Sequence, residues 1–209
     1  MRAVQCFEYG PPENLKVKDI EAPSPGKGQV LIQVEACGVN FPDTLIIQNK
    51  YQIQPPLPFS PGGEVAGTVK ALGEGVDSLK IGDPVIALMA FGGFAEQVVV
   101  DRGAVLERPP SMECIIAAGF SMTYGTSFHA LKQRADLKSG ETLLVLGAGG
   151  GVGLAAVQIG KAMGATVIAA ASSEEKLEAA KKSGADFLIN YSQDPLREKI
   201  KEITKGRGL

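Results

Sequence analysis

Seven residues, Gly147-Ala148-Gly149-Gly150-Gly151-Val152-Gly153, carry the plainest chemistry in this chain of 209 residues. Three consecutive glycines, Gly149, Gly150 and Gly151, leave backbone N–H groups bare, so a ligand can come close to them. A helix that begins here adds partial positive charge from its dipole, which suits a pyrophosphate. The usual fingerprint of such a turn is G-x-G-x-x-G. Here the register ending on Gly153 reads Ala148-x-Gly150-x-x-Gly153, and the alanine can make the tight turn while its φ stays negative. Ser172 and Ser173 stand where, about 20 positions past the turn, a carboxylate normally holds the ribose 2′-hydroxyl of NAD. Two hydroxyls in its place would accept a 2′-phosphate, and Lys176 adds positive charge one helical turn on. The pattern favours NADP(H) over NAD(H). Ser173 could equally be a helix cap and Lys176 part of a solvated face, and Glu174 and Glu175 weigh against a strong phosphate site.

A second set of candidates lies earlier. Asn40 and Asp43 are three apart and share a face if the segment is helical, although capping a turn is the commoner job for both residue types. Tyr51 opens the run Tyr51-Gln52-Ile53-Gln54-Pro55-Pro56-Leu57-Pro58-Phe59-Ser60-Pro61-Gly62-Gly63, whose prolines and glycines predict a fixed, irregular loop. Such loops often line sites, and the Tyr51 hydroxyl could donate to a ligand or the ring could simply pack.

The elements that must position these residues change character at Pro109-Pro110. Before it, short strands are punctuated by Gly and Pro: 1–9, 15–20, 29–36, 64–72, 85–88 and, after a turn, one within 91–100. That density predicts a compact β-barrel-like domain, with a short helix starting near Asp43. After it, strands alternate with helices. Helix capped within Ser111–Cys114 and continuing to about Arg134 leads to strands at 142–146, 166–171 and 187–190, separated by helices 154–162 and 173–182 and followed by one over 195–204. The β-α-β alternation predicts a parallel sheet with right-handed crossovers. This is one half of a doubly wound dinucleotide domain. A stop at Leu209, on a loop where a further strand is due, leads us to expect a truncated Rossmann sheet and a whole protein of roughly 320 residues. The expected domains are 1–118 and 119–209.

Composition narrows the function. With 21 basic against 23 acidic residues, net charge is −2, which offers no electrostatic case for nucleic acid. No apolar run is long enough for a membrane span, and residues 1–8 lack the core of a signal peptide. Cys6, Cys37 and Cys114 are too few and scattered for a disulfide framework. A cytoplasmic protein is the default expectation.

Several motifs in this order resemble the zinc-free quinone oxidoreductases (zeta-crystallin-like) of the medium-chain dehydrogenase/reductase superfamily. They are Cys37-Gly38-Val39-Asn40-Phe41-Pro42-Asp43, Pro61-Gly62-Gly63-Glu64-Val65-Ala66-Gly67, Gly82-Asp83-Pro84-Val85, the Thr123 segment and Ala148-Gly149-Gly150-Gly151-Val152-Gly153. The resemblance implies a GroES-like β-barrel domain followed by a Rossmann domain. It implies NADPH-dependent hydride transfer to quinones or α,β-unsaturated carbonyls. Asn40, Asp43 and Tyr51 would line the substrate end, with Asn40 also near the cofactor. Thr123 would sit by the nicotinamide, Gly149 to Gly153 on the pyrophosphate, and Ser172, Ser173, Lys176 and Tyr191 around the adenosine phosphate. Relatives often form homodimers. Zinc-dependent relatives carry a Gly-His-Glu where this chain has Gly62-Gly63-Glu64, and the four-cysteine lobe is absent, so no metal is expected. Cys37 reads as a small buried hydrophobe. An enoyl-thioester reductase and a non-catalytic NADPH-binding regulatory protein are the alternative readings.

Overall fold

The computed structural model describes residues 1–209, and the chain divides into two compact units, Met1–Met122 and Thr123–Leu209. The first unit is antiparallel. Strands β1 (Arg2–Gln5) and β2 (Lys16–Asp19) form a two-stranded ribbon. The main sheet is built from β3 (Gln29–Gly38), followed by helix α1 (Phe41–Ile46), then β4 (Glu64–Leu72), β5 (Pro84–Leu88), β6 (Gln97–Asp101) and β7 (Val105–Glu107). Its strand order is β6-β3-β4-β5-β7. Val30, Ile32, Val65, Val69, Val85 and Val98 fill the core, the β-branched residues that a pleated surface packs best. Register shifts at Leu31/Ile32 and Val34/Ala36 interrupt the β3–β4 pairing, as bulges that bend a sheet do. Helix α2 (Cys114–Ala118) buries Ala117 and Ala118 against Ala66 and Ile86 of the sheet.

Helix α3 (Ser121–Phe128) carries the boundary between the units. The second unit then alternates: β8 (Thr142–Leu146), α4 (Gly151–Ala162), β9 (Thr166–Ala171), α5 (Glu174–Lys182), β10 (Phe187–Asn190) and α6 (Leu196–Ile203). The three strands are parallel in the order β10-β9-β8. Strand β9 is buried along almost its whole length, as a parallel strand covered on both faces should be. Gly160 lets α4 lie close, since a Cβ there would stand 2.6 Å from Leu143 Cδ2.

The alternating half and the Gly/Pro-punctuated half both appear in the order expected, and the differences are local. The first strand is Arg2–Gln5 rather than 1–9, because Cys6 leaves the ribbon to bridge Phe59. Strand β7 answers to no expectation above; only three residues long, it is recognisable by its pairing with β5. Within the expected capping segment Ser111–Cys114 the cap of α2 is Glu113, while the Met112 N–H donates to Pro109 O. Helix α3 ends at Phe128 and continues as a π-helical turn over His129–Arg134.

Candidate functional site

In the first unit a buried carboxylate organises the neighbourhood of Asn40. Strand β3 runs out through Cys37 and Gly38, and Asn40, in extended conformation, starts α1 with Pro42 in its first turn. Asp43 closes that start. Its Oδ2 accepts the Asn40 N–H at 2.7 Å and its Oδ1 accepts the Gly62 N–H at 3.1 Å. Asp43 is 5% exposed, and burial pushes its carboxyl above the ordinary range against the pull of those two N–H groups. Its main work is thus to cap α1 and to tie it to the Pro61-Gly62 loop.

Glu64, the first residue of β4, is fully buried. Its Oε1 accepts from Asn40 Nδ2 at 2.9 Å and its Oε2 from the Met122 N–H at 2.9 Å. Its backbone oxygen accepts the Cys37 thiol at 3.1 Å. Burial first, then the charges of Asp43 and Glu64, push the Cys37 thiol up to about 12. Cys37 is half-buried and packs on the valine core, and it stays protonated at any physiological pH. Motif reading quoted Glu64 only as part of a glycine-rich run. The signal available was a carboxylate at the head of an otherwise apolar, small-residue strand.

Beside these groups lies a cavity of about 310 Å³, lined by Asp43, Tyr51, Ile53, Leu88, Met89 and Met122 among others. Its wall is mostly apolar. Tyr51 packs against the Cys6–Ile46–Ile47–Phe59 cluster and is half-buried. Asp43 and Tyr51 are thus brought to one cavity, while Asn40 is held to the side by Glu64.

In the second unit the turn after β8 behaves as its residues require. Gly147 has φ +63, a region that disfavours side chains, and Gly150 caps α4 with no side-chain hydrogen bond. The N–H groups of Gly151, Val152 and Gly153 therefore occupy the first turn, where a helix supplies no partner of its own. Gly153 is fixed by packing, because a Cβ would collide with Gly147 O. Gly150 faces open space, with Gly147 O the nearest atom at 3.7 Å from a would-be Cβ. A cavity of about 490 Å³ borders Leu146, Gly147, Gly150, Gly151, Val152 and Gly153. The Thr123 methyl lies against Gly151, and Ser127 Oγ donates to Val152 O at 2.8 Å, so α3 buttresses the turn.

The residues beyond β9 gather at the same end of the sheet. Lys176 Nζ donates to Ser172 Oγ at 3.3 Å. Tyr191, exposed, is held there by its N–H on Ala171 O at 3.1 Å, and Ser192 Oγ donates to Ser172 O. Ser173 is the residue before α5, with no side-chain cap bond. Of the two acids that weighed against phosphate, Glu174 accepts from Asn190 Nδ2 at 2.7 Å. Gly149 abuts Lys176 so closely that a Cβ would strike the lysine's Cβ. The turn and the Ser172–Lys176 pair thus form one surface, with exposed donors and a cation. Among all residues there is no group of three His, Cys, Asp or Glu side chains able to hold a metal ion. No helix is long and apolar enough to cross a membrane.

Comparison with known proteins agrees with this geometry. Residues 26–110 match the family described as alcohol dehydrogenase GroES-like domain, and residues 151–209 the family described as zinc-binding dehydrogenase. The chain is 39% identical to the quinone oxidoreductase of Homo sapiens, over all of this chain and 64% of that one. Among solved structures it resembles a probable oxidoreductase from Mycobacterium abscessus, with TM-score 0.94 and 39% identity over 100% of this chain and 67% of the other. It also resembles Escherichia coli quinone oxidoreductase complexed with NADPH, with TM-score 0.94 and 32% identity, over 99% of this chain and 64% of the other. The chain spans about three fifths of the curated relatives it matches, 57 to 64% of their length.

Proposed function

Because the chain belongs to the quinone oxidoreductase-like family of the medium-chain dehydrogenase/reductase superfamily, we propose that the intact protein is an NADPH-dependent reductase of quinones or α,β-unsaturated carbonyls that works without zinc. The observation that carries the proposal is the joint surface of the glycine turn and the Ser172–Lys176 pair. Its chemistry fits a dinucleotide with a 2′-phosphate. Open N–H groups at a helix start take the pyrophosphate, and a hydroxyl and an ammonium beside them take the phosphate. Glu174 is drawn toward Asn190, whose Nδ2 donates to its Oε1.

When bound, NADPH supplies a hydride. The chain's residues bind, orient and exclude water. In our reading Gly149 to Gly153 hold the pyrophosphate; Ser172, Ser173, Lys176 and Tyr191 surround the adenosine phosphate; Thr123 lies near the nicotinamide. The apolar cavity at Ile53, Leu88, Met89 and Met122 suits a flat, electron-poor acceptor. Asn40, Asp43 and Tyr51 act as polar positioners at its edge. The chemistry of the donor set supports zinc independence: Gly63 has no ligand atom where zinc relatives have a His, and the Cys37 thiol donates to a carbonyl and is pushed up to about 12. Hydrogen bonds suffice for a quinone or enone, whose reduction develops only modest charge. A homodimer of the intact protein is part of the same proposal, checked by sedimentation.

The test is NADPH and NADH oxidation by the intact protein against a panel of quinones and enals. Turnover with NADPH above NADH is expected, and none with any acceptor refutes the proposal. A second reading, an enoyl-thioester reductase, is favoured by one observation: Tyr51 brings a phenol, a usable proton donor, to the cavity wall. Tyr51→Phe abolishing turnover of a crotonyl thioester, while sparing quinones, would select it.

A further inference from the structure

Asn40 is held by two carboxylates at once. Its backbone N–H donates to Asp43 and its side-chain NH₂ to Glu64. Both oxygens of Glu64 accept, and both of their partners are N–H groups that can only donate. The amide of Asn40 must therefore turn its nitrogen to Glu64, and its oxygen lies on the opposite side. The second oxygen of Glu64 takes the Met122 N–H in the first turn of α3. The carboxylate is fully buried, and its position is enforced from the other side by Gly38, where a Cβ would stand 2.7 Å from Oε1. One side chain thus sets both the polarity of Asn40 and the start of α3, the helix that contains Met122.

We infer that Glu64 is a positioning residue, which acts through Asn40 by fixing the orientation of its amide and through Met122 by fixing the start of α3. The inference rests on the proposed function only where turnover is measured. A neutral amide at 64 keeps the shape and loses the acceptor-only character: its oxygen can serve one donor, and its NH₂ then faces the other. Either Asn40 flips or loses its bond, which changes the group it presents to a bound ligand, or the Met122 N–H loses its acceptor at the start of α3.

The test compares intact wild-type and Glu64→Gln protein by NMR of side-chain amides and by steady-state NADPH oxidation with a quinone. The Asn40 amide pair is identified as the one missing in Asn40→Asp. Glu64→Gln is expected to shift that pair and to lower kcat by about tenfold or more, the scale of one hydrogen bond to a charged group. KM should move by less than about threefold, because binding surfaces elsewhere are untouched. The double variant Asn40→Asp/Glu64→Gln reverses the bond, the new amide donating to the new carboxylate. It is expected to regain most of any melting temperature lost in Glu64→Gln, and it serves in place of that variant should the single change not fold. An unshifted Asn40 pair with unchanged kcat overturns the inference. So does a double variant no more stable than the single. If wild-type protein oxidises NADPH with no acceptor, the proposed function fails, while the amide signals and the double variant still decide the role of Glu64.

Discussion

Around Glu64 and along the Gly147–Gly153 turn, glycines border backbone polar groups, yet the two places treat those groups in opposite ways. In the first unit both oxygens of Glu64 and both oxygens of Asp43 accept hydrogen bonds from the protein itself. Gly38 is there because nothing larger fits beside Glu64 and Ala118 O. In the second unit the N–H groups of the first turn of α4 have no side-chain cap, and Gly150 looks onto open space. Gly38 makes room for protein; Gly150 leaves room for something else. The contrast separates a surface that positions from one that binds.

One substitution made in both places would break or sharpen that contrast. Gly38→Ala is expected to destabilise the fold by about 3 kcal/mol in chemical denaturation, the upper end for overpacking a rigid site. Gly150→Ala should change folding stability by less than about 0.5 kcal/mol, because its φ of −90° suits any residue. Equal costs at the two sites would remove the distinction. Lys176→Glu probes the binding surface alone. It should weaken NADPH binding by a factor of about ten to a hundred, the worth of one charge-assisted bond, and leave NADH nearly unchanged; a cofactor titration decides it. The smallest effect concerns the positioning surface. The folded Cys37 thiol ionises near 12, against an ordinary 9.0. A raised folded value gives stability that is complete below pH 9.0 and is lost as pH rises from there through about 12. Cys37→Ala should flatten that part of the stability profile. Fast iodoacetamide labelling of native Cys37 at pH 9.0 would contradict the burial that causes it.

The turn and the alternation around it were legible because their signals are local. Gly147 to Gly153 lie within seven residues, and the helices on either side of β9 show their periodicity in a single pass. The Ser172–Lys176 contact was legible for the same reason, being one helical turn apart. Glu64 was not, because the donors that define it come from 24 and 58 positions away. Strand β7 was missed since three residues carry too little pattern. Asn40 and Asp43 fell between the two cases. Capping at their spacing could be read from residue type, whereas the bond from Gly62 that ties Asp43 to a distant loop could not.

The wedge of Gly149 against Lys176 has a consequence for redesign. A change of nucleotide preference made at the end of the second strand alone would act on Ser172, Ser173 and Lys176. Here the backbone of the turn rests on the stem of the very lysine that would be exchanged. Replacing Lys176 with a short side chain opens a gap beneath Gly149, and adding any side chain at 149 displaces α5. A variant library aimed at this preference has to sample positions 149, 172 and 176 together, since a short residue at 176 or any side chain at 149 moves two parts of the pocket at once.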